Sequence, residues 1–504
     1  MMSHWIIAPV LIPAIMGALI VLIMRNDLLL QRVFSLAASL GLLATSVTLL
    51  ISTSQSVPEV YLLGDWPAPF GIVLVLDRLS ALMVTLTGVL AVIVQLYAIG
   101  SGWDARGRHF HALFQFQLMG ICGAFLTGDA FNLFVFFEVL LIASYGLMIH
   151  SGGKARLRAG VQYVAFNLVG SSLFLFALAS IYSITGTLNI ADLAEKAATL
   201  PEGDAALFRV SAVLLMLVFA IKGALVPLHF WLPGTYSNAP GPVAALFAVM
   251  TKIGAYSAIR FGVIVFPPST PVTGSLIADL MLPAALVTLV LGALGVLGAS
   301  TLSRLAAFAA VASMGTAFIA ISAFTPASIS AALYYMVHST LAGAALFLIA
   351  DLVSDRRAHD GLHQALPPIA QTGLISALFM VSAIATAGMP PLSGFVGKLL
   401  VLDALRDSAA LVWSVILVSS LLIILGFARA GSTLFWKAHA SAPQDGPPGH
   451  PTQPLAFVAV GLLLAAIVAL TVLAGPVMTW MEATTAELFD AAPYIDANRL
   501  PEGN

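Results

Sequence analysis

Three lysines of this chain stand inside long apolar stretches, where a charged side chain is costly. They are Lys222, Lys252 and Lys398, out of only six lysines in 504 residues. A charge near the middle of a bilayer costs roughly 2.5–3.5 kcal/mol on insertion scales, so such residues are rare unless they serve a function. Similar stretches hold an acid, Glu138, and a histidine, His338. Ionisable groups of both signs in an apolar chain predict a path for protons or cations.

The composition places these residues in a polytopic membrane protein. Hydrophobic residues make up 60% of the chain and charged residues 9%, whereas soluble domains carry about 25% charged residues. The formal net charge of -2 argues against nucleic acid as a partner. The single cysteine, Cys122, lies in an apolar run, which excludes disulfides and a cysteine-based metal site.

Fourteen apolar windows of roughly 20 residues predict fourteen transmembrane helices, numbered here as spans 1 to 14. The windows lie near residues 4–24, 30–52, 73–99, 109–127, 130–150, 158–184, 207–229, 241–265, 276–299, 303–323, 328–353, 370–403, 409–436 and 455–476. The connections between them are short, so residues 1–504 are predicted to form a single membrane domain. The first window has no lysine or arginine before it and no clear cleavage site after it, which predicts an uncleaved helix.

The charges of the connecting loops predict the orientation of the chain. Eleven lysines and arginines lie in the loops of one side, and four lie on the opposite side with the C-terminal tail. Basic residues concentrate in cytoplasmic loops, so both termini are predicted on the non-cytoplasmic side of a bacterial inner membrane. The acidic tail at 479–504 is typical of a short surface helix or a partner contact.

Two spans contain residues that interrupt a helix. In span 7, Pro227 follows Lys222 by about one turn, and in span 12, Pro390 and Pro391 precede Lys398 by one to two turns. Proline removes a backbone donor and clashes with a preceding carbonyl, so neither span continues as regular helix. Broken spans at matching places in two halves are typical of inverted-repeat transporters, in which unwound backbone lines an aqueous cavity.

The predicted fold is therefore an all-α polytopic membrane protein with broken helices 7 and 12. Its two inverted five-helix repeats are expected at about 109–265 and 276–436. Residues 1–99 form N-terminal helices, and residues 455–504 form the last helix and the acidic tail.

Glu138, Lys222 and Lys252 each have a structural alternative to a role in transport. Glu138 and Lys222 have opposite charge and comparable depth, so a mutual ion pair is the most economical arrangement. A structural ion pair between two helices is the alternative, although it does not require a broken helix beside it. Lys252 could extend its ammonium to the interface, but it lies nearer the middle than the end of span 8, which favours proton exchange.

His338 and Lys398 complete the row. A lone intramembrane histidine is often a satisfied core residue, but the neighbouring lysines favour a relay role, because histidine titrates closest to neutral pH. For Lys398, the alternative is a lysine screened at the membrane edge by Asp403 and Asp407.

Five further residues are weaker candidates. Asp129 is first a helix cap at the start of span 5, and His229 lies next to the break in span 7. Arg260 either lines a path or anchors span 8 at the outer face. Asn167 can bond across helices, and Asp351 at the end of span 11 is expected to pair at the surface.

Neither a cofactor nor a catalytic residue is predicted. No second histidine, cysteine or acid stands at ligand spacing from His338, so no metal site is expected. A phosphate-binding glycine loop, a dinucleotide fingerprint and a haem-type histidine pair are all missing from the sequence. ATP-driven transport by this chain alone is therefore unsupported.

Three segments of the chain resemble a known family. They are GDAFNLFVFFEVLLIASYGLMI, FAIKGALVPLHFWLPGTYSNAPGPVAALFAVMTKIGAYSAIRF and GMPPLSGFVGKLLVL. Together they are similar to the proton-conducting antiporter-type subunits shared by respiratory complex I, membrane-bound hydrogenases and multisubunit Mrp cation/proton antiporters. The resemblance covers roughly residues 70–440.

The resemblance implies fourteen core helices, inverted repeats of spans 4–8 and 9–13, and broken spans 7 and 12. It implies that Glu138 and Lys222 form a charge pair that gates proton movement. It further implies a lateral polar chain through Lys252 and His338 that ends at Lys398.

Three features favour a D-type Mrp subunit over a complex I homologue. Complex I relatives usually have a tryptophan before the acid of span 5, which this chain lacks. They tend to have Leu-Pro-Asp after span 7, where this chain has Gly234 after the proline. The chain also stops shortly after span 14, without a long lateral helix.

The resemblance therefore implies a secondary antiporter subunit and not an enzyme. Its expected partners are the A-, B-, C-, E-, F- and G-type membrane subunits, together with protons and a monovalent cation. The alternatives are a non-redox proton-pumping subunit of a complex I-like oxidoreductase or a hydrogenase, and a scaffold whose buried charges only hold helices together.

Overall fold

The computed structural model describes residues 3–54, 57–357, 360–438 and 451–498. Nearly all of this part of the chain is helical. The α-helices are α1 Ala8–Leu19, α2 Leu28–Thr53, α3 Arg78–Ser101, α4 Phe110–Leu126, α5 Ala130–Met148, α6 Lys154–Thr185, α7 Ile190–Ala198, α8 Ala205–Lys222, α9 Trp231–Tyr236, α10 Gly241–Ile264, α11 Leu276–Gly298, α12 Leu302–Ile321, α13 Pro326–Arg357, α14 Thr372–Ala387, α15 Ser393–Ala404, α16 Ala409–Gly431, α17 Pro454–Val472, α18 Ala474–Phe489 and α19 Ala491–Asn498. Two strands, β1 Glu59–Leu62 and β2 Val73–Leu76, form one antiparallel hairpin.

An apolar helix occupies each of the fourteen predicted spans. Eleven of the described helices are long and apolar enough to cross a membrane, and three shorter apolar helices, at Ala8–Met24, Phe110–Leu126 and Thr372–Ala387, fall at the remaining spans. The all-α polytopic fold is thus confirmed. Both predicted breaks are present: α8 ends at Lys222 inside span 7, with α9 beginning two residues beyond the predicted end of that span, and span 12 divides into α14 and α15.

The start of span 3 differs from the prediction. Residues 73–76 form the strand β2 and not the first turn of a helix. The helix α3 begins only after Asp77, whose side chain accepts from the Ser80 backbone while the Ser80 hydroxyl accepts from the Asp77 backbone. This reciprocal cap fixes the start of α3. The preceding Val-Leu-Val-Leu run suits a strand, because β-branched residues fit a pleated surface.

Two helices form the centre of the bundle. Every residue of α10 is buried, although the helix is 24 residues long. Most of the 32-residue α13 is buried as well, and α10 and α13 pack against each other. Since α10 carries Lys252 and α13 carries His338, both side chains lie inside protein and away from lipid.

The N-terminal helices are joined by a buried polar network near one end of the bundle. This end carries the loops with eleven lysines and arginines and is called the arginine-rich end below. Arg32 on α2 donates to both carboxylate oxygens of Asp104, at 2.6 and 2.9 Å. The same carboxylate lies 3.1 Å from Nε2 of His111 on α4. Burial alone would raise the pKa of Asp104, but the His111 ring and the Arg32 guanidinium outweigh it and hold that pKa below its usual range.

The acidic tail folds back onto the bundle as α18 and α19. Glu487 on α18 forms an ion pair of 3.2 Å with Arg78 at the start of α3. Tyr494 on α19 is buried and places its ring 5.2 Å from the Arg260 guanidinium. The tail therefore forms a helical contact within the chain, at the end of the bundle opposite the arginine-rich loops.

Candidate functional site

The first break begins at Lys222, the last residue of α8. The chain then runs through residues 223–230 without a regular helix before α9 begins. Such a helix end leaves carbonyl groups without partners, and the carbonyl of Ile221 accepts from the Trp231 indole nitrogen at 3.0 Å. Because the C-terminal end of a helix carries partial negative charge, this position suits an ammonium group.

Lys222 and Glu138 meet through α6 and not directly. Lys222 Nζ donates to Asn167 Oδ1 at 2.9 Å, and the Ser171 hydroxyl donates to Glu138 Oε1. Asn167 and Ser171 are four residues apart, so they lie on one face of α6. The direct ion pair expected from the sequence is absent from the part of the chain that the structure describes, although the two charges interact across this face. Asn167 does bond across helices, as its position suggested.

Lys252 lies near the middle of α10, close to the first break. Its side chain is only 2% exposed, and it makes no hydrogen bond or ion pair with any residue in the described ranges. The helix contacts the end of α8 at Gly254, where an added Cβ would lie 2.6 Å from the Phe219 carbonyl oxygen and 3.1 Å from the Lys222 carbonyl carbon. Lys252 is therefore within one helical turn of the contact with the first break, and its ammonium does not reach the interface.

His338 lies on α13 against the second break. Its Nδ1 is 2.8 Å from the hydroxyl of Ser393, the first residue of α15. The ring also bonds to the backbone of Ala385, near the end of α14, and interacts electrostatically with both Lys252 and Lys398. His338 thus stands between the lysine of α10 and the lysine of α15.

Lys398 lies on α15, but its side chain returns to the end of α14. The ammonium donates to the carbonyl oxygen of Ala387 at 2.7 Å and to the Ser420 hydroxyl on α16 at 2.9 Å. The chain crosses this point through Gly388, which has a φ of 76°. A Cβ at Gly388 would lie 2.6 Å from Lys398 Cδ, so glycine is needed both for the backbone and for the close approach.

The membrane-edge alternative for Lys398 does not hold in this structure. Asp403 forms its ion pair with Arg406 and not with the lysine, and Lys398 is only 6% exposed. Its described partners are the two neutral oxygens at the second break.

Both breaks place a lysine ammonium at the C-terminal end of the first half-helix. Lys222 ends α8, and Lys398 binds the last carbonyl of α14. Among the described residues, no carboxylate lies within 4.0 Å of the ammonium of Lys222, Lys252 or Lys398. The three ammonium groups are thus buried without an ion-pair partner. Lys222 and Lys398 donate to uncharged oxygen atoms, and Lys252 has no hydrogen-bond partner among the described residues.

Among the weaker candidates, Asp129 and Arg260 have structural partners of their own. Asp129 caps α5 by accepting from the Asn132 backbone at 2.7 Å. Arg260 forms a buried ion pair with Asp77 at the cap of α3, which makes it an anchor of α10. Only His229 lies in a break, between α8 and α9, and its Nδ1 is buried without a hydrogen-bond partner in the described ranges.

Asp351 has a setting that the sequence did not reveal. Its carboxylate accepts from the Tyr97 hydroxyl at 2.7 Å and from the Trp103 indole nitrogen at 2.8 Å. The surface pairing with the arginines beside it in the sequence is therefore wrong, because its donors are distant in the sequence. Ser171, Ser393 and Ser420 were missed as well. Only Ser171 could have been found from the sequence, because it follows Asn167 by four residues and therefore shares its helix face.

The sequence matches a family model over residues 127–423, described as "NADH:quinone oxidoreductase/Mrp antiporter, TM". A Rhizobium meliloti protein, named as the D-type subunit of a probable K(+)/H(+) antiporter, is 35% identical, over 99% of this chain and 98% of its own length. A Bacillus subtilis protein, named as the D-type subunit of a Na(+)/H(+) antiporter, is 36% identical, over 98% of this chain and 96% of its own length.

A solved structure shows the same similarity at the level of the fold. A chain of the Mrp complex from Dietzia sp. DQ12-45-1b is 28% identical and superposes with a TM-score of 0.87, covering 98% of this chain and 99% of that one. The fold and the sequence agree with these proteins over essentially the whole length of the chain. The chain belongs to the membrane-spanning NADH:quinone oxidoreductase/Mrp antiporter family.

Proposed function

We propose that this chain is the D-type subunit of a multisubunit monovalent cation/proton antiporter and that it moves protons through the middle of the membrane. The relay runs from Glu138 and Lys222 through Lys252 and His338 to Lys398. The Rhizobium meliloti and Bacillus subtilis relatives are both named as antiporter subunits of the D type, which supports this assignment over the complex I-like alternative.

The chemistry of the lysine partners carries the proposal. Lys222 donates to an amide oxygen, and Lys398 donates to a carbonyl and a hydroxyl oxygen. A neutral amine still carries N–H groups and can donate to these atoms, although more weakly than an ammonium, so either protonation state can keep the contact. A structural ion pair would instead hold the proton on the lysine, because the charged form is what the carboxylate stabilises.

The two broken spans give the relay its two ends. We treat 109–265 and 276–436 as the two repeats, each of which contributes one break and one lysine at a half-helix end. Half-helix C-terminal ends at mid-membrane are where transporters of this type bind cations. The proton-motive force supplies about 2.3 kcal/mol per charge per 100 mV to drive the movement.

The exchanged cation is Na⁺ or K⁺, since relatives of almost equal similarity are named for each. The proposed partners are the A-, B-, C-, E-, F- and G-type membrane subunits. The proposed location is a bacterial inner membrane with both termini on the non-cytoplasmic side.

Single replacements test the relay. Glu138→Ala, Lys222→Ala and Lys398→Ala should each abolish Na⁺- or K⁺-dependent proton efflux from vesicles that contain the assembled complex. Ser172→Ala is the matched control, because its exposed hydroxyl bonds only to its own helix backbone. Full activity in all three variants would refute the relay. Loss of the complex from the membrane, without loss of activity per complex, would favour the scaffold. Flavin or iron–sulfur subunits in the purified complex would favour the redox-linked alternative.

A further inference from the structure

A polar cavity opens at the arginine-rich end of the bundle, away from Glu138 and Lys222. Its volume is ≈ 380 Å³. The charged and polar side chains of the α3–α4 connection, α6, the α9–α10 connection and α13 line it, among them Trp103, Arg106, Arg156, Asn238, Asp351 and Asp355. The loops around it belong to the side predicted to be cytoplasmic.

Asp351 lies at the inner part of this cavity, against the first turn of α10. A Cβ at Gly241 would lie 2.3 Å from the Asp351 Cβ, so α10 begins directly beside the carboxylate. The N-terminal end of a helix favours a negative charge. The two side chains that donate to the carboxylate, Tyr97 and Trp103, are uncharged. Several charged groups on neighbouring elements act on the carboxylate from farther away, namely Arg106, Arg156, Asp355 and Arg356.

Two facing helix stripes lead from this carboxylate to Lys252. On α13, Gly343, Phe347 and Asp351 follow one another at intervals of four residues and therefore share a face. On α10, Ala244 and Ala248 lead in the same way to Lys252.

The contacts between the two helices put the stripes side by side. Asp351 touches Gly241, and the nearest atom to a Cβ on Gly343 would be the Ala248 Cβ. This antiparallel register brings the stretch of α13 that contains His338 level with Lys252.

The seam between the stripes contains an open space at Gly343. This glycine is partly exposed although its neighbours from His338 to Ala350 are buried. The Ala248 Cβ would be 3.8 Å from an added Cβ, and no other atom would lie within 4 Å. Phe347 and Ala244 line the cavity, and each lies four residues along its helix from Gly343 or Ala248, the pair that borders the open space.

We propose that this cavity is the cytoplasmic entrance for protons, that Asp351 takes them up, and that the seam past Phe347 and Gly343 delivers them to Lys252. This inference rests on the proposed relay, to which it adds an entrance for protons from one side of the membrane. Phe347 is the residue that must move for the seam to conduct.

Thiol labelling tests the seam without depending on transport. In a Cys122→Ala background, Gly343→Cys should react with a charged, membrane-impermeant methanethiosulfonate added to the arginine-rich face of the assembled complex. Ala344→Cys, one position along on a fully buried face, should not react. Equal reactivity of the two variants, or reaction of Gly343→Cys only from the opposite face, would overturn the entrance.

Transport measurements test the same seam by filling it. Gly343→Leu should abolish transport with a normal amount of complex in the membrane, and Gly343→Ala should retain more transport than Gly343→Leu. Gly461→Leu is the matched control, because Gly461 lies in α17 with no atom within 4 Å of an added Cβ. Full transport in Gly343→Leu would refute the entrance. Loss of transport in Glu138→Ala, Lys222→Ala and Lys398→Ala would still support the relay in that case.

Asp351 itself is tested by two replacements. Asp351→Asn keeps an oxygen that accepts from Tyr97 and Trp103 but removes the proton-binding carboxylate, so transport should fall. Asp351→Glu should restore part of it. If Asp351→Asn transports like the wild type, the carboxylate has only a structural role.

Discussion

At the scale of single residues, Asn167 determines what Lys222 can do. Its amide oxygen is the one hydrogen-bond acceptor that the described residues offer to the Lys222 ammonium. A carboxylate in this place would keep the proton on the lysine, and an apolar side chain would leave the buried nitrogen without a partner. The same reasoning applies to the carbonyl and hydroxyl oxygens at Lys398.

Two replacements of Asn167 are expected to slow transport for opposite reasons. Asn167→Asp places a negative charge 2.9 Å from the lysine and should hold its proton. Asn167→Leu leaves the buried amine unsatisfied, at a cost of about 1–3 kcal/mol or more for a charged group. Proton efflux should be measured per assembled complex. Wild-type efflux in Asn167→Asp would contradict the role given to neutral acceptors.

At the scale of elements, the tail helix α18 is held by a carboxyl group that responds to pH. Burial, and then the charge of Asp77, raise the pKa of Glu487 to about 7. A carboxyl whose pKa is higher in the folded state than in the unfolded state stabilises the fold when protonated. Its contribution is therefore complete below the ordinary glutamate value of about 4.3 and is lost as the pH rises towards 7.

The docking of α18 and α19 should accordingly weaken between about pH 5 and about pH 8. Hydrogen exchange of residues 474–498 in the purified complex measures this opening. Glu487→Gln should flatten the pH dependence, whereas Glu482→Gln, on an exposed position of the same helix, should leave it unchanged. An unaltered pH dependence in Glu487→Gln would exclude Glu487 as the responsible group.

The helix breaks could be predicted from the sequence, but the hydrogen-bond partners could not. Glycine and proline act locally on the backbone, so Gly223 with Pro227, and Gly388 with Pro390 and Pro391, located both breaks. The partners of a side chain that lies between helices depend on which faces of distant helices meet. Asp351 illustrates this, because its Tyr97 donor is 254 positions away in the sequence, while the arginines beside it made surface pairing the obvious interpretation.

At the scale of the whole molecule, the loop charges predict which face is cytoplasmic. The cavity at Asp351 opens at the face with the basic loops, and the tail helices cover the other end. This assignment gives the relay its direction and can be tested independently of transport.

Two exposed positions on opposite sides provide that test. In a Cys122→Ala background, Lys154→Cys should react with an impermeant thiol reagent only in inside-out vesicles. Thr199→Cys, after α7, should react only in right-side-out vesicles; both wild-type side chains are exposed. The opposite result would invert the proposed direction of proton movement.

The central helix α13 also has a mechanical consequence. With 32 residues and a rise of about 1.5 Å per residue, it is longer than the roughly 30 Å of bilayer hydrocarbon. It carries His338, Gly343 and Asp351 on one continuous helix, so the number of residues between them fixes their relative orientation around the helix axis. One residue inserted between Gly343 and Asp351 would rotate Asp351 around the helix axis by about 100° relative to Gly343. The carboxylate would then point away from the seam, although no functional side chain had been removed.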